Sequence, residues 1–178
     1  MKRTSLFAAF ALGVALAASA HAATTYEPKN KSYKIAFPGA PTEEVDKSQS
    51  ASGELTSVSA IYEDATKEGA YVSSYSDMGD VCKTRKVEVQ RVLNSSRDSA
   101  LAANKAKLIR EKPLETNGVS GIEFVANILE KGKPGVIVHQ VFFSAKSCRL
   151  YQAIVTGPNG IESRPEAKAF LGSFEGLQ

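Results

Sequence analysis

The 178-residue chain has no tryptophan and only two cysteines, two histidines and two methionines. Histidine is the commonest general base and metal ligand near neutral pH, so its scarcity leaves few candidate catalytic residues. The sequence also contains no C-x-x-C pair, no zinc-ligand spacing and no phosphate-binding Gly-Lys-Ser/Thr loop. We therefore expect no catalytic residues, no metal site and no cofactor.

Long apolar runs are absent except at the N-terminus. Lys2 and Arg3 precede an apolar run from Leu6 to Ala18, and Ala20-His21-Ala22 ends it with a small-x-small cleavage pattern. The run is too short for a membrane span. We expect residues 1–22 to be a cleaved secretory signal peptide.

An exported location follows from that signal. No cysteine stands at the cleavage point, so the sequence does not predict a lipoprotein, and no later stretch could cross a bilayer. We expect a soluble periplasmic or secreted protein, with residues 23–178 as a single domain, because 178 − 22 = 156 residues suit one hydrophobic core.

An excess of charge of one sign is also missing. The formal net charge of +3 falls to +1 when Lys2 and Arg3 are removed, and the remaining basic residues are scattered among acidic ones. Nucleic-acid-binding proteins carry a basic patch or stripe. The sequence therefore argues against a nucleic-acid partner.

Short apolar runs between turn residues predict a mainly antiparallel sheet of about six to seven strands. The predicted strands are 33–37, 54–62, 70–75, 107–111, 121–129, 135–143 and 149–156. Both faces of segment 135–143 carry large apolar residues, which indicates an interior strand covered on both sides. Residues 40–53 show no periodicity and are predicted to form a surface loop.

Apolar or small residues at three-four spacing predict a long helix over about 85–104. Its later turns present Ala100 and Ala103, which would let it lie close to the sheet. A short closing helix is predicted over 165–174, with Pro165 in its first turn. One long and one short helix on an antiparallel sheet make an α+β fold.

Most of the chain resembles a group of small exported bacterial proteins. The stretches SYKIAFPGAPTEE, SSRDSALAANKAKLIREKPLETNGVSGIEF and SCRLYQAIVTGP, with RPEAKAFLGSFEGL at the end, are similar to proteins of the Mog/PsbP-like α/β/α sandwich type. The resemblance implies that fold. Better-known relatives, a photosystem assembly subunit and a regulator of a small GTPase, are non-enzymatic partners of other proteins. The matching motifs look like packing and turn elements and imply no site residues.

Cys82 and Cys148 allow two interpretations. Cys82 precedes a predicted helix and lies among basic residues, which would favour a reactive thiolate. Two cysteines in an exported chain favour a disulfide instead, here across 66 residues. We expect the disulfide, provided that the two Cα atoms lie within about 7 Å.

Other candidate residues have structural explanations beside functional ones. His139, the one histidine after the signal, alternates with Ile137 and Val141, which predicts a buried or half-buried side chain rather than a base or ligand. Asp77 and Asp80 flank Gly79 but lack the further oxygen ligands of a calcium loop, so we expect a turn, with Asp80 or Thr84 capping the helix.

Tyr62, Tyr71 and Tyr75 form the remaining candidate surface. Tyr71 and Tyr75 share one strand face with Ser73 between them, and small residues among aromatic ones can make a ligand or partner surface, with His139 as a further candidate. The alternative is that a neighbouring helix half-covers the tyrosines.

These observations rank three functions. The first is a non-enzymatic exported protein that binds another envelope or periplasmic protein or assists its assembly. The second is a carrier of a small apolar ligand, held between the sheet and the helix near Ala100 and Ala103. The third is an enzyme of unknown class.

Overall fold

The computed structural model describes residues 23–50, 53–79, 82, 86–130 and 132–177. The strands are β1 Thr24–Tyr26, β2 Ile35–Phe37, β3 Thr42–Ser50, β4 Gly53–Asp64, β5 Gly69–Asp77, β6 Lys107–Thr116, β7 Val119–Glu130, β8 Lys133–Ser144 and β9 Arg149–Pro158. The helices are α1 Val89–Ala103, a 3₁₀ helix Ile161–Ser163 and α2 Pro165–Gly172. The predicted signal peptide lies outside the described residues.

Seven strands form one antiparallel sheet in the order β3-β4-β5-β9-β8-β7-β6. A separate pair, β1 and β2, lies outside it. The predicted α+β fold, with a mainly antiparallel sheet and one long and one short helix, is confirmed.

The predicted loop at 40–53 is wrong, because residues 42–50 form the edge strand β3. Its nine residues pair antiparallel with β4, from Thr42 opposite Ile61 to Ser50 opposite Gly53. The described β3 side chains up to Lys47 are exposed, so no buried apolar face marks the strand in the sequence. Charged side chains on an exposed edge also discourage pairing with another chain.

One face of the sheet packs against β1, β2, the 3₁₀ helix and α2. Phe37, Phe170 and Phe174 reach into this core and meet Tyr71 and Phe142 from the sheet. Their rings are tilted or edge to face with centroids 4.9–5.6 Å apart, which are favourable aromatic geometries. The C-terminal segment is therefore part of the core.

The opposite face packs against α1, which lies over β7 and β8. Leu93 is its one fully buried residue and contacts the core formed by Ile122, Phe124, Val141 and Phe143. The helix begins at Val89 rather than near residue 85.

The N-cap of α1 is Glu88, and no side chain caps it. Asp80 and Thr84, the predicted caps, lie outside the described residues. The described cap position nevertheless excludes them as N-cap of α1, because both precede Glu88 in the chain.

Strand β8 is buried on both faces, as its sequence predicted. Residues 135–144 are all buried. On the neighbouring strand β7, Gly121 lies opposite Phe142 of β8. A Cβ on Gly121 would lie 2.4 Å from the Phe142 ring and 2.6 Å from the Val141 carbonyl oxygen. Only a residue without a side chain fits there.

Candidate functional site

A groove of about 760 Å³ runs between α1 and β9 on the α1 face of the sheet. Leu150 and Gln152 of β9 form its floor, and Met78 and Val87 close one end. The outer wall is the flank of α1. Since the groove combines aliphatic, hydroxyl and charged groups, it is the strongest candidate site in the described part of the chain.

The α1 wall of the groove consists mainly of small side chains. Ser95, Ser99 and Ala103 recur at every fourth position, so they lie on one side of the helix, and Ala100 lies deeper. Ser95, Ser99 and Ala103 are exposed while Ala100 is partly buried. The groove therefore lies beside the small residues in the later turns of the helix, and it is open to solvent along this wall.

Charged residues stand at the end of the groove nearest the start of α1. Lys86, Glu88 and Arg91 all line it and are exposed. Within the described ranges none of the three has an ion pair. The first turn of α1 contains no acidic residue, so Glu88 at the N-cap is the one carboxylate of the described helix that lies at its positive dipole end. The local charge is net positive.

A disulfide holds the same end of the groove. Cys82 and Cys148 are bonded, with Cα atoms 6.0 Å apart, which confirms the predicted bridge and excludes the reactive thiolate. Nearby, the Met78 backbone N–H donates to the Cys148 carbonyl oxygen at 2.9 Å. The chain between β5 and α1, which supplies Met78 and Val87 to the groove, is thus tied to the β8–β9 turn.

A series of hydrogen-bonded polar side chains lies beneath the floor of the groove. Gln152 Oε1 accepts a hydrogen bond from His139 Nε2 at 2.8 Å, and the Gln152 amide points its Nε2 toward Ser74 Oγ at 3.5 Å. Burial lowers the pKa of His139 to about 4, so the ring is neutral at physiological pH. Nδ1 is buried with no hydrogen-bond partner among the described residues. His139 thus orients the glutamine and lies too deep for a surface role.

Beyond the groove floor, three aliphatic side chains lie side by side on the same sheet face. Ile61 of β4 is opposite Val72 of β5, which is opposite Ile154 of β9. All three are partly exposed and belong to neither core. We name them the aliphatic row. Sequence reasoning missed it, because the strand pairing that aligns the three residues is not visible in the sequence.

The three tyrosines are on the other face of the sheet from the groove. Tyr71 is fully buried against Phe170 of α2, so it forms no exposed surface, and the alternative interpretation, cover by a neighbouring helix, holds for this residue. Burial raises its pKa to about 12, and its hydroxyl has no partner within the described chain. Tyr62 and Tyr75 are partly exposed at the margin of this core. None of the three tyrosines lines the groove.

Asp77 takes part in a turn. Its Oδ1 accepts the Gly79 backbone N–H at 3.0 Å, and its Oδ2 lies 3.5 Å from Arg149 Nε. Among the described residues no cluster of three or more histidine, cysteine or acidic side chains could hold a metal ion. In the same residues, no helix has the length and hydropathy needed to span a membrane.

Comparison with known proteins identifies a similar fold. No protein-family model and no curated protein matches the sequence. The solution structure of cyanobacterial PsbP (CyanoP) from Synechocystis sp. PCC 6803 is similar with a TM-score of 0.56 and 12% identity, over 92% of this chain and 98% of that one. A Pseudomonas aeruginosa protein of unknown function matches with a TM-score of 0.37 and 9% identity, over 79% of this chain and 86% of that one. That similarity is too low to support an inference about this protein. At 12% identity the likeness shows the fold alone, and that fold is PsbP-like.

Proposed function

We propose that this protein is a non-enzymatic accessory protein of the cell envelope that binds a segment of another protein in the groove between α1 and β9. The open form of the groove is the observation that carries the proposal. Ser95, Ser99 and Ala103 line its outer wall and remain exposed.

A protein segment suits an open groove better than a small molecule does. Small-ligand sites bury most of the ligand, about 70–90% of its surface. This groove would cover a ligand on the α1 and β9 sides and leave its outer side in water. A protein segment can have polar residues on the side that stays in water, so it can bind stably even though the groove buries only part of its surface.

The chemistry around the groove supports binding rather than catalysis. His139 is neutral and buried, and the one side chain that its ring contacts by hydrogen bond within the described chain is Gln152. The hydroxyls of Ser95 and Ser99 are exposed on α1, with no base bonded to them in the described residues. A serine nucleophile would require such a base.

An exported location is part of the proposal. The disulfide between Cys82 and Cys148 would persist in an oxidising compartment such as the periplasm. The N-terminal signal pattern at residues 1–22 independently predicts export.

Site-specific photo-crosslinking tests the proposal. A benzophenone amino acid is placed at Ser95 or Ser99 in the full-length protein, which is expressed in its own compartment and irradiated. Gln90 is the matched control, because it is exposed on α1 but does not line the groove. We expect the same discrete protein adduct from both serine positions and none from Gln90. Equal adducts from all three positions, or no protein adduct, would contradict the proposal.

A carrier of a small apolar ligand is the second candidate. The observation that favours it is the coincidence of the groove with Ala100 and Ala103, where aliphatic Leu150 and Val92 also line it. Native mass spectrometry of the mature protein, purified from its own compartment without reductant, separates the two. A retained low-molecular-weight mass would favour the carrier, and a ligand-free chain would favour the protein-binding function.

A further inference from the structure

The α1 face of the sheet has room for a second helix. Helix α1 lies over β7 and β8. Strands are spaced about 4.8 Å apart, whereas packed helices lie about 8–10 Å apart. A helix beside α1 would therefore lie two strands further on, over β9 and β5, the strands that supply Ile154 and Val72 to the aliphatic row.

The surfaces at that position suit a helix. The aliphatic row, Ile61, Val72 and Ile154, offers partly exposed apolar side chains that neither core covers. On the α1 side, Ser99 and Ala103 are small, so the backbone of a neighbouring helix could approach closely. An amphipathic helix would bury its apolar face on the row and keep its polar face in water.

An extended peptide suits the same surface poorly. It would lie on the face of a sheet whose backbone groups are already paired between strands, so its own N–H and C=O groups would find few partners. Unpaired buried polar groups are costly. A helix satisfies its backbone hydrogen bonds internally and needs only side-chain contacts.

The charges indicate the character of this helix. Lys86 and Arg91 stand at the α1 end of the groove without ion pairs in the described chain, beside a single carboxylate, Glu88. Glu44 and Asp46 of β3 are exposed on the outer edge of the same sheet face. Acidic residues of the partner would therefore face α1, and its opposite flank, toward β3, would be neutral or basic.

We propose that the groove and the aliphatic row together dock an amphipathic helix of the partner protein that carries acidic residues on the flank facing Lys86 and Arg91. This inference rests on the proposed function and specifies the chemistry of the partner. The helix lies beside α1 over β9 and β5 and extends the helical layer on this face.

Crosslinking from two positions locates the partner segment. Benzophenone residues at Ser99, on α1, and at Ile61, at the far end of the aliphatic row, flank the proposed helix on both sides. We expect mass spectrometry to place both adducts in one segment of one partner. The apolar residues of that segment should recur with helical periodicity, and acidic residues should lie along one flank of the helix. Adducts in an extended or basic segment would overturn the inference but leave the proposed function standing.

The proposed charge pairing is tested by measuring binding affinity. Fluorescence anisotropy follows the binding of a fluorescein-labelled peptide that has the sequence of the crosslinked segment. Arg91→Glu should weaken binding roughly fivefold, as expected for reversing one exposed ion pair, and wild-type binding should weaken with added salt. Lys168→Glu is the matched control: the same charge change on α2, at an exposed position on the other face of the sheet. It should bind like the wild type.

The outcomes separate the two proposals. An unchanged or tighter affinity for Arg91→Glu, or a bound peptide whose NMR spectra show an extended backbone, would refute the acidic helix while a protein partner remains. The absence of any protein adduct from Ser99 would refute the binding function itself, and the inference with it.

Discussion

Replacing Cys82 and Cys148 by alanine removes a covalent constraint whose effect can be worked out from the loop that it closes. The bridge joins residues 66 positions apart. Loop-closure entropy of −2.1 − 1.5R ln n cal/mol/K, with n = 66, corresponds to about 4 kcal/mol at 25 °C. Domains unfold with a free energy of about 5–15 kcal/mol in total. Loss of the bridge should therefore remove a large part of the stability.

Urea unfolding of the mature protein, followed by far-UV circular dichroism, measures this loss. With a slope of about 2 kcal/mol/M, a loss of about 4 kcal/mol lowers the urea midpoint by about 2 M. Cys148 is buried, so alanine also removes a small amount of packing. Wild-type protein unfolded in the presence of a reductant is the control that retains both side chains and lacks only the bond.

Local exchange gives a second readout of the same change. The Met78 N–H, bonded to the Cys148 carbonyl oxygen, should exchange faster with solvent once the bridge is gone, since the chain at this end of the groove is then held by weaker contacts. A stability loss below about 1 kcal/mol in both the variant and the reduced protein would refute the loop-closure reasoning.

Three further predictions concern buried groups. Burial lowers the pKa of His139 to about 4, while the unfolded histidine titrates near 6.5. Between these pH values the unfolded chain therefore binds more protons than the folded one. The free energy of unfolding should fall by about 3 kcal/mol as the pH is lowered from 6.5 to 4. His139→Gln should lack this component in urea titrations across that range, and an identical pH profile would contradict it. Tyr33→Phe should destabilise by about 1 kcal/mol, because its hydroxyl is hydrogen-bonded and buried. Tyr71→Phe should be neutral or stabilising, because that hydroxyl has no partner in the described chain; equal losses for the two variants would refute the distinction. Gly121→Ala should lower the thermal midpoint, because its Cβ would overlap the neighbouring strand, whereas Gly172→Ala, with open space at the end of α2, should raise stability by about 0.5–1 kcal/mol. A reversed order of the two midpoints would contradict the packing argument.

The long strands, the helices and the bridge could be predicted from local signals. Short apolar runs such as 135–143 are paired strands, and the three-four spacing from Val89 onward is a helix. Strand β3 was missed because both faces of an exposed edge strand are polar, so the alternation that reveals half-buried strands is absent. The start of α1 was placed too early, since the described structure begins the helix only after Glu88.

The candidate site was predicted in part. The groove lies beside Ala100 and Ala103, the residues near which the sequence analysis placed the ligand of the second candidate function. The tyrosines were a less successful choice, because alternation along a strand shows which residues share a face but not which layer covers it. In the structure, α2 covers Tyr71.

The sequence by itself determined the properties that depend on short-range patterns or on composition. These are the type of most elements, the α+β class, the two cysteines available for a bridge and the scarcity of catalytic side chains. Tertiary structure alone decided which residues meet across the chain. Strand order aligns Ile61, Val72 and Ile154, and the position of α1 over β7 and β8 leaves the groove beside β9. The physical reason is that pairing and packing bring together residues far apart in the chain, and no local period records which partners they choose.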